Sequence, residues 1–201
     1  MKKDLNGAMR SNGNAMFIPT GNLRAITFLC FAVIFLAASC KKEVNVSNAE
    51  DKQQMAVESS GNVLNQYTGH SAQTKWELQQ ARAATARYKN IQNALKDGYI
   101  DINVVAENMG YHYMKPSLVD ATFDIRNPEI LVYNKNHSGK MELVAVEYAV
   151  PLTSPRPEGF TGAGDVWDEH TGFSLWLLHA WVWSYNPAGV FNSTNPDVHL
   201  H

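Results

Sequence analysis

The sequence predicts an α+β domain: one long N-terminal helix packed on an antiparallel sheet of about four to five strands. Two observations carry this expectation. Over Thr74–Gly98 apolar residues recur at steps of three and four, and beyond Tyr99 the period falls to two. A helix followed by a run of strands, rather than the two alternating, reads as α+β.

The helix comes first. In "TKWELQQARAATARYKNIQNALKDG", Thr74 and Glu77 form a capping-box pattern. Ala81, Ala84, Tyr88, Ile91 and Leu95 share one stripe, whose alanines suit close packing against a sheet, and Asp97-Gly98 supplies the stop. Of the strands, "YIDINVV" (Tyr99–Val105) alternates weakly, and "MGYHYM" (Met109–Met114) is aromatic-rich and ends at Pro116. "EILVYN" and "KMELVAVEYAV" flank "KNHSG", a turn containing Gly139, and read as a hairpin. "FSLWLLHAWVWS" (Phe173–Ser184) is too apolar on both faces for an exposed edge. Between Pro151 and Gly172 three prolines and four glycines mark a long loop, a length usually reserved for function or disorder. Two Asn-Pro turns and a frayed "HLH" close the chain.

The segment ahead of the domain gives an address. An uncharged run of 16 residues, Ala25–Cys40, lies between Arg24 and Lys41. At about 1.5 Å per residue it makes about 24 Å of helix, short of the roughly 30 Å of a bilayer core. It suits the apolar region of a signal peptide, with Lys2, Lys3, Arg10 and Arg24 as the positive flank. A start at Met1 makes that flank long, and Met9 or Met16 would give a more ordinary leader. "LAASC" (Leu36–Cys40) resembles the lipobox of bacterial lipoproteins, although Ala37 stands where leucine is usual. Cys40 is then the acylated first residue of the mature chain, and its acyl chains exceed the threshold for stable anchoring. Residues 1–39 are thus a lipoprotein signal peptide, 40–73 a lipidated N-terminus and flexible tether, and 74–201 a single domain. The expected location is the envelope of a Gram-negative-type bacterium, at the periplasmic or surface face of the outer membrane.

From Cys40 onward, 162 residues carry 13 Lys/Arg against 18 Asp/Glu, a net charge of −5. That length buries a respectable core. With Cys30 in the leader and Cys40 lipidated, no disulfide is available and packing must hold the fold. No basic cluster follows Lys42, which argues against nucleic acid as a partner. The membrane, through Cys40, and an unidentified small molecule or envelope protein are the partners left.

Three ionisable residues sit inside apolar strands: His112 in "GYHYM", Glu147 in "AVEYA" and His179 in "LLHAW". Alternation puts Glu147 on the face of Met141, Leu143, Ala145 and Ala149, and His179 on that of Leu175, Leu177, Trp181 and Trp183. A buried unpaired charge there costs several kcal/mol, so the glutamate needs a partner, water or a proton. Two imidazoles and a carboxylate suit a divalent first-row metal with open positions; the alternative is a buried His–Glu hydrogen-bond network that organises the sheet. In the Pro/Gly loop, Asp168, Glu169 and His170 form either a lid that completes a site or a solvated acidic turn. Tyr111, Tyr113, Trp176, Trp181 and Trp183 suit either a ligand surface or the core. Past Cys40 there is no further thiol, no GxSxG, no phosphate-cradling glycine loop and no dinucleotide fingerprint.

"ARAATARYKNIQNALKDGY", "MGYHYMKPSLVDATFDIRNPEILVY", "LVAVEYAVP" and "LHAWVWSYNPAGVFNSTNP" together resemble a family of uncharacterised exported bacterial proteins, over roughly Ala81–Val198. The chain departs from that family's pattern at Lys115 and Thr194 and lacks cysteines found in relatives. The resemblance implies secretion and a shared fold and supplies no mechanism. The combined expectation is a lipid-anchored envelope protein with a ligand- or partner-binding domain. A metal-dependent enzyme built on His112, Glu147 and His179 is the alternative, and a structural envelope role a further one.

Overall fold

Six strands form one antiparallel sheet: β1 (Ile100–Ala106), β2 (Gly110–Met114), β3 (Ile130–Lys135), β4 (Met141–Pro151), β5 (Asp168–His170) and β6 (Leu175–Ala180). Their spatial order is β1-β2-β3-β4-β6-β5. The computed structural model describes residues 61–201 apart from Asn62 and Ala163. The leader, Cys40 and the tether as far as residue 60 lie outside the described residues. Among those described, no helix is long and apolar enough to cross a membrane.

The α+β class holds, with two corrections. The single long helix is broken: α1 covers Ala72–Thr85, a 3-10 turn covers Ala86–Lys89, and α2 covers Ile91–Lys96. Thr85 turns its hydroxyl back to the Ala81 carbonyl (2.8 Å), and Asn90 takes extended backbone and caps α2 from its side chain. Such back-bonding bends a helix and competes with its ladder. The restart shifts the phase, so Ala94 is buried where Leu95 was expected, and Leu95 faces solvent. The start differs too: Ser71 caps α1 through the Thr74 amide, while Glu77 reaches across to Thr161. The expected four to five strands are six, because Asp168–His170 pairs with β6 inside the presumed loop. β6 itself is shorter than Phe173–Ser184, since Trp183 and Ser184 leave it to bond the Val144 carbonyl.

Two apolar clusters lie on the sheet. The larger joins α1, α2 and the sheet through Leu78, Ala81, Ala94, Leu131, Tyr133, Val146, Tyr148 and Leu178. Val63 and Tyr67 are buried in it as well, so the packed domain begins ahead of Thr74. The smaller cluster, on the other face, holds Ile130, Val132, Ala145, Ala149, Leu177, Trp181 and Val198. Met141 and Leu143 belong with the larger cluster rather than on Glu147's face. The β3–β4 register slips between Val132 and Tyr133, and one extra residue reverses which face a strand shows. Trp183 likewise packs with the larger cluster once β6 has ended. The C-terminus is tied down rather than frayed: the His199 carbonyl accepts from Asn134 and the Leu200 amide donates to Glu107.

Glu129, buried just ahead of β3, accepts a hydrogen bond from the Ala149 amide (2.9 Å). Burial raises its pKa to about 8, with Asp120 and Asp124 pushing the same way; Tyr99 and Tyr148 are its other titratable neighbours. The fold therefore keeps a proton that the unfolded chain loses near the ordinary 4.5. Its contribution is complete below that value and is lost as pH rises through about 8. Glu129→Gln should melt several °C above the wild type at pH 8.5, the equivalent of about 1–2 kcal/mol, with little difference at pH 5. Thermal scans at both pH values check this, and a pH-independent difference would contradict it.

Candidate metal centre

His112, Glu147 and His179 stand on β2, β4 and β6, with β3 lying between the first two. In a flat sheet, strands two places apart are about 10 Å from each other. The sheet curls instead, and side chains from all six strands line one cleft on the face of the smaller cluster. Curling draws the three groups together. His112 Nε2 is 3.8 Å from one Glu147 oxygen, and His179 Nδ1 is 3.4 Å from the other. One ligand atom from each residue lies within 4.8 Å of the other two, and all three side chains are buried.

The curl and the orientation of His112 begin in β1. Between Asp101 and Val105 the register with β2 shifts, and Asn103 takes a left-handed φ of 56°. The Asp101 carboxylate accepts from the Asn103 amide (2.8 Å), a local Asx turn inside the strand. This bulge brings the Val104 carbonyl to His112 Nδ1 at 3.0 Å. A carbonyl only accepts, so Nδ1 carries the hydrogen and Nε2 presents its lone pair towards Glu147. A backbone carbonyl behind an imidazole is the usual support of a metal-binding histidine.

Glu147 accepts no hydrogen bond from a backbone amide and faces no Lys or Arg among the described residues; its polar neighbours are the two imidazoles. Burial raises its pKa to about 8, and Asp168 on β5 adds to the rise. Burial draws His179 down to about 3, helped by His112, and lowers His112 against the pull of the Val104 and Gly110 carbonyls. Alone, the cluster is neutral near pH 7: two unprotonated imidazoles and a carboxylic acid. His179 Nε2 is buried without a hydrogen-bond partner among the described residues. Lone pairs converging on a carboxyl that can release its proton are what a divalent cation needs. The residues present fit a metal ion.

The cleft encloses about 520 Å³. His112 and Glu147 reach it between aliphatic walls from β1, β2, β3 and β6, and His170 and Phe173 also line it. Of the loop trio, His170 stacks on Phe173 (centroids 4.4 Å apart), and Asp168 shares its face by alternation while Glu169 points the other way. All three are exposed.

The five aromatic candidates do not meet in this cleft. Tyr113 packs edge-to-face on Tyr133 in the larger cluster, and Tyr111 lies on the same side with Lys135 over its ring. Trp183 donates to the Thr85 hydroxyl and carries Arg82 over its ring at 4.1 Å. Trp176 donates to the Ser154 carbonyl. Trp181 lies in the smaller cluster, stacked on His179, and donates to the Asn192 carbonyl. The Asp101–Asn103 bulge has a local signal, Asp-Ile-Asn within a strand, whereas the aliphatic walls of the cleft have none in any single segment.

Gly110 opens β2 two residues ahead of His112, at φ +114°. A Cβ there would collide with the Tyr133 carbonyl oxygen of the adjacent strand. Gly139 has φ +76° but nothing within 4 Å of its Cβ position. Gly110→Ala should therefore cost about 3 kcal/mol or more, against about 1 kcal/mol for Gly139→Ala, in chemical denaturation. Equal costs would mean that close strand approach at Gly110 is not what fixes β2.

No family model, curated protein or solved structure matches this chain, and the arrangement of its own residues is what bears on function.

Proposed function

We propose that this is a lipid-anchored cell-envelope protein that binds a small ligand through a divalent first-row metal held by His112, Glu147 and His179. The observation that carries the reading is Glu147: a fully buried carboxyl whose polar neighbours are two imidazoles, beside an apolar cleft. A carboxyl placed only to organise the sheet would be expected to have backbone or cationic partners. Imidazole and carboxylate ligands suit zinc, iron or manganese more than copper(I), which prefers sulfur. The anchoring rests on the leader and on the "LAASC" sequence.

A second reading, a metal-dependent enzyme, draws on the opening of the site to the cleft. When bound there, a divalent ion supplies Lewis acidity or a water of lowered pKa. His170, at the cleft, is the titratable side chain outside the triad placed to carry a proton. The apolar lining, in which His170 is the polar side chain outside the triad, sets this reading second. Hydrolysis of a panel of short aliphatic esters by the metal-loaded protein, abolished in His112→Ala, would reverse the order.

Purified protein should carry close to one equivalent of a first-row metal by elemental analysis. His112→Ala should weaken binding by more than the roughly 10–100-fold that loss of an outer partner costs. Glu147→Gln should weaken it too, with circular dichroism unchanged. Failure to take up stoichiometric zinc or cobalt on titration would overturn the reading. For the anchor, mass spectrometry should find no peptide from residues 1–39 and acyl mass on Cys40, and Cys40→Ala should leave the membrane fraction. An unmodified Cys40 thiol would refute it.

A further inference from the structure

We infer that the cleft takes an aliphatic monocarboxylate, its carboxylate on the metal held by His112, Glu147 and His179 and its chain along the walls of β1, β2, β3 and β6. This rests on the metal reading and adds to it the chemical class of the ligand.

The argument is one of charge and surface. Two neutral imidazoles and one carboxylate on a divalent ion leave a net charge of +1, enclosed by aliphatic side chains. In so apolar a setting an uncompensated charge is costly, and an anion in an open position removes it. Among the described residues the lining contains no Lys or Arg, so there an anionic head finds its countercharge at the triad. A phosphate group does not fit the same terms. It brings about two charges and more oxygens than the site can serve, with no arginine fork or helix N-terminus in the lining. A carboxylate brings one charge and two hard oxygen donors.

Beyond the head group the cleft offers almost nothing polar. Ile102, Val104, Met114, Ile130, Leu175 and Leu177 make its walls, and the polar side chains lining it are His112, Glu147 and His170. A sugar or peptide would leave its hydroxyls or amides unpaired here. An alkyl chain leaves none, and burying it is favourable by about 0.8 kcal/mol per methylene. Two flexible methionines in the lining, Met109 and Met114, adapt to chains of differing length. The volume of about 520 Å³ lies in the range of small-molecule sites.

The test uses the cobalt-loaded protein, whose visible d–d absorption reports on the metal's ligands. Octanoate should change that spectrum and bind at least about 30-fold more tightly than acetate, which shares its head but not its chain. Octanol, which has the chain without the carboxylate, should leave the spectrum unchanged. Leu175→Ser alters the half-buried rim of the wall without touching the triad; it should weaken octanoate several-fold more than acetate while cobalt binds as before. Octanoate no tighter than acetate, or bound without a spectral change, would overturn the inference and leave the metal reading standing. Failure of cobalt itself to bind would remove both.

Discussion

Glu147 is a carboxyl group held out of water in the middle of a sheet, and the arrangement around it answers to that constraint. A buried carboxylate with no cation or amide to meet it is unstable by several kcal/mol, and it can be relieved by a proton or by a metal ion. Two imidazoles, one from the adjacent β6 and one from β2 two strands away, themselves kept neutral by burial, favour either resolution. Switching between them exchanges one proton for one ion, so occupancy and protonation of the cluster are linked.

Bringing the three groups together takes a curved sheet, and curvature has identifiable sources in this chain. The Asx turn at Asp101–Asn103 arches β1 and sends the Val104 carbonyl to His112. Gly110 lets β2 approach β3 where any side chain would collide. The slip opposite Val132 and Tyr133 reverses the facing of β4 between Leu143 and Ala145. Each is a local departure from regular pairing of the kind that bends and twists a strand. Their combined effect is a cleft touched by every strand of the sheet.

The opposite face supplies the rigidity. α1 and α2 cover it, with Tyr99, Tyr133 and Tyr148 buried between helix and sheet and their hydroxyls donating to the carbonyls of Pro128, Tyr88 and Ile125. Glu77 fastens the Pro/Gly segment to α1 through both the amide and the hydroxyl of Thr161. The tyrosines thus hold irregular segments with their polar ends while their rings fill the core. One face of the sheet is spent on stability, and the other is left open around the triad.

The residues of the site were legible in the chain itself: an imidazole or carboxyl embedded in an apolar strand stands out because its burial demands a partner. The fold class and five of the six strands were legible for a similar reason, since a period of two or of three to four is a local property. What the sequence withheld was convergence. The slip at Asn103 has a local Asx turn behind it, but the slip at Val144 shows only in the pairing of β3 with β4, and together they decided which faces meet. The strand hidden at Asp168–His170 depends in the same way on its pairing with β6, whereas the break of the helix at Thr85 rests on local bonds that compete with the apolar period. The chain by itself determined which groups are costly to bury; only tertiary structure decided that they share one pocket, because curvature is a property of the whole sheet rather than of any segment.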